Sequence, residues 1–265
     1  MNLDELLDAA RRIAAAAGDA ILAHYAPATP GAPRARTPEP HHKHDGSPLT
    51  AADLDADRLI RERLAALPDA LPLLSEEGRE EPLAARRAWR RFWLVDPLDG
   101  TREFVEGNGE FTVNLALVED GRPLLGVVHA PALALTYWAA RGRGAWKRAG
   151  TGAPESIRVA SRRARAEPWR VVGSRSHAGA SLGPFLAAHD PHVLCSVGSA
   201  LKFGFVAEGR AHVYPRFGPT MEWDTAAGQA IVEEAGGSVR AHPEGGVLRY
   251  NKPSLVNPWF VASCE

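Results

Sequence analysis

Cysteine is almost missing from this 265-residue chain: Cys195 and Cys264 are the two it has. So few make a disulfide framework unexpected, and a soluble, reducing, cytoplasmic setting is the default. Long apolar runs are missing as well. None is long enough to span a bilayer, and most are interrupted by charge. Nor does one sign of charge prevail: 31 Lys+Arg stand against 32 Asp+Glu, so no global field favours nucleic acid as a partner. The amino terminus, MNLDELLDAARR, places acids before its first basic residues and has no apolar h-region, so it does not read as a secretory signal. There is no internal repeat. What the chain does have is 45% hydrophobic residues, enough for one large domain or two intimately packed ones.

Apolar residues at steps of three and four predict an amphipathic helix over residues 3–25. Residues 26–49 are rich in Pro, Gly and His and read as a loop. A helix restarts at Thr50 with TAADLDADRLIRERLAAL, and LPLLSEE and RFWLVDP look like short strands that end in acid. A helical turn is expected near 101–106. EFTVNLALVEDGRPLLGVVHAP then reads as two strands around Glu119–Arg122, extended by ALTYWAA and GAWKR into an antiparallel meander. From about residue 156 strands alternate with helices near 179–188, 199–207 and 223–236, which is α/β texture. The expected architecture is mixed α+β and α/β, layered helices and sheets in two packed lobes, 1–155 and 156–265.

The stretch WLVDPLDGTREF does not fit a core strand, because an apolar run needs no carboxylates at its tip. Glu76, Glu77, Asp96 and Asp99 all fall at expected strand ends, and Asp224 falls at the start of an expected helix. Crowded carboxylates raise one another's pKa unless a cation sits between them. Hard oxygen donors, with backbone carbonyls, suit Mg²⁺ and not zinc. Pro97 restrains the loop so that Asp96, the Leu98 carbonyl and Asp99 can converge. The amides of Gly100 and Thr101 would open a helix end, a natural phosphate site. Two or three Mg²⁺ ions about 3.5–4 Å apart would activate water and stabilise a leaving oxygen in an in-line displacement. The bland reading of each acid is a solvated loop charge or a helix cap, and Glu77 is best read that way.

LSEE, WLVDPLDGT and WDTAAG, in that order, resemble the three metal-site signatures of the inositol monophosphatase superfamily, and the similarity runs from Lys43 onward. The resemblance implies an αβαβα layered fold and a Mg²⁺-dependent, lithium-sensitive phosphatase. It implies Glu76, Asp96, the carbonyl of Leu98, Asp99 and Asp224 as metal ligands. It further implies that Thr101, backed by Asp53, takes the proton of the attacking water. Thr50 and Asp53 also have the spacing of a capping box, and one residue can serve both ends. Asp55 and Asp57 are expected as exposed helix charges. Lys43 and Asp45 match a loop that the family places over the metals, although the preceding Pro- and His-rich stretch is longer than that pattern leads one to expect.

SRSHA, GSALKF and YPRFGPTMEWDTAAG resemble the 3'(2'),5'-bisphosphate nucleotidase (CysQ-type) branch. That implies removal of the 3'-phosphate of adenosine 3',5'-bisphosphate to leave AMP, with the 5'-phosphosulfate analogue as a further substrate. A second phosphate needs cationic partners away from the metals, and His177, Lys202 and Arg216, with Ser199 as a hydrogen-bond donor, are the candidates. Gly100 and Thr101 would meet the phosphate that is removed. The ordinary readings are an exposed helix residue for Lys202, a surface strand end for Arg216 and a helix cap for His177. Trp223 is a candidate pocket wall. Cys195 is expected in the core, and Tyr137, Trp138 and Trp146 as packing. His41, His42 and His44 read as loop residues more readily than as metal ligands. The expected partner is a small nucleoside bisphosphate, and the expected assembly a monomer or homodimer. Two alternatives remain: an inositol-1-phosphate or sugar phosphatase such as a fructose-1,6-bisphosphatase, and a catalytically dead nucleotide-binding protein.

Overall fold

α1 (Leu3–Leu22) starts at a capping box in which Asn2 and Glu5 exchange side-chain and backbone bonds. It buries Leu6, Ala10, Ile13, Ala17 and Ile21 along one stripe. It ends before Tyr25, whose ring packs instead on Phe104 and Phe111. The apolar period there comes from a turn docking onto the next layer, so the helix is shorter than its pattern. In this computed structural model the described residues are 1–28, 41–42, 48–79, 81–161, 167–174 and 182–265. β1 (His41–His42) and β2 (Pro48–Leu49) form a short antiparallel ladder and lead into α2 (Ala51–Ala65), capped by Thr50. Lys43, His44 and Asp45 lie outside the described residues.

Next come β3 (Leu73–Ser75), α3 (Leu83–Arg86), β4 (Arg91–Asp99), α4 (Thr101–Glu106), β5 (Thr112–Glu119), β6 (Arg122–Ala130), β7 (Leu135–Ala140), β8 (Ala145–Ala149) and β9 (Glu155–Ile157). The strands from β3 to β9 form one seven-stranded sheet in sequence order, with only the β3–β4 pair parallel. Both faces are covered, which is why β4 reads as a continuous apolar run. Trp93 and Val95 meet α1 and α2 on one side. Phe92 and Leu94 meet the second half of the chain on the other.

That half contains β10 (Trp169–Ser174), α5 (Leu182–Ala188), β11 (His192–Val197), α6 (Leu201–Ala207), β12 (Val213–Arg216), α7 (Glu222–Glu234), β13 (Ser238–Ala241) and β14 (Phe260–Ser263). Its five-stranded sheet has the order β11-β10-β12-β14-β13. β10 is parallel to both its neighbours, and the β12–β14 and β14–β13 pairs are antiparallel. α6 and α7 lie between the two sheets, in one hydrophobic cluster with side chains of both. α5 supplies the outer layer, with Phe185 against Phe217 of the loop after β12. The order is the αβαβα layering of the expectation.

Glycines set how closely α7 approaches. A Cβ on Gly126 of β6 would come within 2.4 Å of the Ala227 carbonyl oxygen, and one on Gly228 within 2.3 Å of the Phe203 ring. Without side chains there, α7 lies directly on the first sheet, and its amino end reaches the tip of β4.

Candidate active site

The tip of β4 departs from its ladder. Asp96 pairs with Asn114 and Asp99 with Thr112, so three steps on one strand match two on the other. The extra residue is a bulge containing Pro97 and Leu98, and bulges re-aim side chains. Leu98 N donates to Asp96 Oδ1 at 3.0 Å, and Asn114 Nδ2 donates to Asp99 Oδ2 at 3.3 Å. Gly100 follows at φ +89°, where a Cβ would press within 3.3 Å of Ser199 and Glu103. Gly100 caps α4 with no side-chain hydrogen bond.

Oxygen atoms of Glu76, Asp96 and Asp224 all lie within 4.8 Å of one another. Three elements bring them there: the turn after β3, the bulge of β4, and the first turn of α7, where Asp224 Oδ2 accepts from Met221 N at 2.8 Å. Burial is the main force holding Asp96 well above the usual carboxylate range, helped by the charges of Glu76, Asp99 and Asp224. Asp224 is raised in the same way, by burial first and then by Asp99 and Glu76. Asp99 is raised by burial too, against the pull of Lys202 and Asn114. Asp96 is buried and Glu76 and Asp224 are partly so, with Asp99 beside this group of three; crowded acids all offering oxygen fit a hard divalent cation. Glu77 is half-exposed and outside the cluster.

Beside the cluster, Thr101 Oγ donates at 3.3 Å to either Asp53 Oδ1 or the Leu98 carbonyl. Asp53 is 1% exposed. Its Oδ2 accepts from Thr50 Oγ at 2.6 Å and from Thr50 N at 2.8 Å. The capping box and the Thr101–Asp53 contact therefore coexist on one carboxylate, with one oxygen for each.

A cleft of about 440 Å³ opens over these groups, large enough for a nucleotide-sized ligand. Gly100, Thr101, Ser199, Lys202 and Arg216 all line it. Lys202 is not the exposed helix residue of the bland reading. It is buried, donates to the carbonyls of Ser199 and, at 3.3 Å, Val197, and is pushed down to about 8 by burial, with Asp99 opposing. Arg216 Nη2 donates to the Pro219 carbonyl at 3.0 Å. Ser199 has φ +47°, which turns the chain at the mouth of α6. His177 lies outside the described residues.

Three expectations are corrected. Asp57 is buried, not an exposed helix charge, because it faces Ser75 and Arg61. Cys195 is exposed, because β11 is the edge strand of its sheet and most of it is uncovered. Trp223 packs against the hydrophobic cluster and does not line the cleft. Tyr137 and Trp138 are packing, as expected. Sequence reasoning missed Asn114, Tyr214 and Arg102. The signal for Asn114 was a lone amide in the apolar run FTVNLAL. Tyr214 and Arg102 sit beside motif residues but carry no sign of their own.

A profile of the inositol monophosphatase family matches residues 2–259. The chain is 47% identical over 258 residues to the 3'(2'),5'-bisphosphate nucleotidase CysQ of Salmonella typhimurium, covering 96% of this chain and 98% of that protein. Against the enzyme of the same name from Escherichia coli K12 the identity is 45% over 259 residues, covering 97% and 99%. A crystal structure of CysQ from Bacteroides thetaiotaomicron superposes with a TM-score of 0.85 at 40% identity, covering 99% of this chain and 98% of that one.

Proposed function

The chain belongs to the inositol monophosphatase family, and from that premise we propose that it removes the 3'-phosphate of adenosine 3',5'-bisphosphate to leave AMP. It is a phosphoric monoester hydrolase, with 3'-phosphoadenosine 5'-phosphosulfate as a further candidate substrate. One observation carries the reading: the crowded acids around the bulged end of β4 line one cleft with Thr101, which Asp53 backs, and with two cations, Lys202 and Arg216.

Glu76, Asp96, Asp99, Asp224 and the Leu98 carbonyl would hold Mg²⁺, as two or three ions. When bound, Mg²⁺ supplies Lewis-acid charge that acidifies water and neutralises the oxygens of the phosphoryl group. The protein's own groups do the rest. Thr101 Oγ takes a proton from the attacking water as its own proton passes to Asp53 Oδ1. The Thr50 hydroxyl and amide hold the other oxygen of that carboxylate and fix its direction. The water oxygen bonds to phosphorus while the bond from phosphorus to O3' breaks, O3' takes a proton from solvent as Asp53 returns its own to solvent, and the products are AMP and inorganic phosphate. Gly100, with no side chain, lets the backbone approach the phosphate that leaves. Lys202, Arg216, Ser199 and His177 are assigned to the nucleotide and its second phosphate. This activity belongs to a cytoplasmic monomer or homodimer acting on a small molecule. No helix among the described residues is long and apolar enough to cross a membrane.

The test is kcat/KM with Mg²⁺ on adenosine 3',5'-bisphosphate, inositol 1-phosphate and fructose 1,6-bisphosphate. The expected order puts the nucleotide first. A preference for inositol phosphate overturns the substrate assignment, and release of phosphate from none of the three indicates a binding protein.

A further inference from the structure

α2 meets the site at two points, four residues apart. Asp53 faces Thr101 at the end of β4. Asp57, 7% exposed, faces the end of β3: Ser75 Oγ donates to its Oδ1 at 2.5 Å, and Arg61 Nε to its Oδ2 at 2.5 Å. Four residues advance about 6 Å along a helix, close to the roughly 4.8 Å between neighbouring strands. Ser75 of β3 is the register partner of Val95 on the parallel strand β4. Two carboxylates on one helix face therefore hold neighbouring segments: Asp57 the end of β3, and Asp53 the start of α4 just beyond β4.

The turn that carries Glu76 is held from three sides. Asp57 takes the Ser75 hydroxyl. Glu76 N donates to the Val95 carbonyl at 3.1 Å, and Gly78 N to the Ser75 carbonyl at 3.0 Å. Arg61 lies across Gly78, where a Cβ would come within 2.3 Å of Nη2. β3 is three residues long and forms the edge of its sheet, so few ladder bonds fix its tip. Asp57 and Arg61 have no task in catalysis, yet Asp57 holds Ser75, the residue before Glu76, and Arg61 lies against Gly78, two residues after it.

We propose that Asp57 and Arg61 are a positioning pair that sets the reach of Glu76 into the cation site, so that α2 fixes a metal ligand and the Thr101 hydroxyl in one frame. This rests on the assignment of Glu76 as a ligand. The partners of metal ligands typically contribute about 10–100-fold to affinity, whereas a pair that only stabilises α2 would alter melting and leave metal affinity as it is.

The experiment measures Mn²⁺ binding to the full chain by electron paramagnetic resonance of the free ion, alongside kcat at saturating Mg²⁺. The variants are Asp57→Asn, Ser75→Ala and Asp57→Glu, with Glu76→Gln as the reference. Asp57→Asn and Ser75→Ala are expected to weaken Mn²⁺ binding about tenfold or more, while kcat at saturating metal stays within about threefold of the parent. Asp57→Glu should restore part of the affinity. Ser75→Ala removes a single hydroxyl and keeps the test open should Asp57→Asn fail to fold. Parental Mn²⁺ binding in both variants, with Glu76→Gln impaired, overturns the proposal. Parental binding in Glu76→Gln instead removes the ligand assignment beneath it, and the proposal falls with it.

Discussion

Replacing Asp53 with asparagine separates two jobs held by one carboxylate. Oδ2 serves the amino end of α2 through Thr50, and Oδ1 faces Thr101. Asparagine keeps the shape and can still offer an oxygen, but it cannot take up a proton. Loss of a helix cap costs about 0.5–2 kcal/mol. In a chain of this size each kcal/mol lowers Tm by roughly 2–4 °C, so the melting point should drop by only a few degrees. Removing a general base costs about 10²–10⁴ in rate, or roughly 3–5 kcal/mol in barrier. The two magnitudes are far enough apart to decide. The assay is phosphate release from adenosine 3',5'-bisphosphate at saturating substrate and Mg²⁺, paired with thermal melts. Thr50→Ala is the control: it weakens the cap similarly but leaves Asp53 against Thr101, so its rate should fall less than about tenfold. If Asp53→Asn keeps kcat within about threefold of the parent, the carboxylate is a cap and nothing more, and the proton route proposed for Thr101 is wrong.

Asp96, Asp99 and Asp224 bind protons more tightly in the folded chain than in the unfolded one. Their contribution to stability is therefore present in acid, below about pH 4, and is lost as pH climbs through the raised values. In chelator, Tm should decline toward neutral pH, Mg²⁺ should restore it, and Asp96→Asn should flatten the slope while abolishing turnover. A Tm indifferent to both pH and Mg²⁺ would contradict the electrostatic account. Gly126→Val should destabilise by about 1–3 kcal/mol or more through overpacking against Ala227, and should lower activity by displacing α7; an unchanged melt would refute that contact. Cys195 is exposed, whereas Cys264 is partly buried with its thiol pushed up, so a thiol reagent should titrate one fast group in the native protein, and Cys195→Ser should remove it. Li⁺ should inhibit in the millimolar range by competing for a cation position, and full activity there would count against the assignment.

Much of the fold could be read from local patterns. The 3.6-residue period marked α1 and α2, and the turn at Glu119–Arg122 joined β5 to β6 where expected. The carboxylates were legible because they interrupt apolar runs at strand ends, where packing has no use for them. What stayed hidden depends on partners distant in the chain. Asp57 has no mark that distinguishes it from Asp55, since its burial comes from Ser75, eighteen residues on. Cys195 sits in an apolar string that would suit a central strand, and only the sheet order makes it an edge. The burial of Lys202 follows from β12 and from carbonyls of the preceding turn, not from the residues next to it in the helix. His177 lies outside the described residues, and so does the segment with Lys43.

Because α7 rests on Gly126 with one side and stacks Phe203 beneath the other sheet, a single rod is bolted to both halves of the molecule. A hinge between the halves would have to run through that rod. Swinging the halves apart would break into the interior that keeps the chain folded, so the packing of α7 ties the Asp224 side of the cleft to the tip of β4.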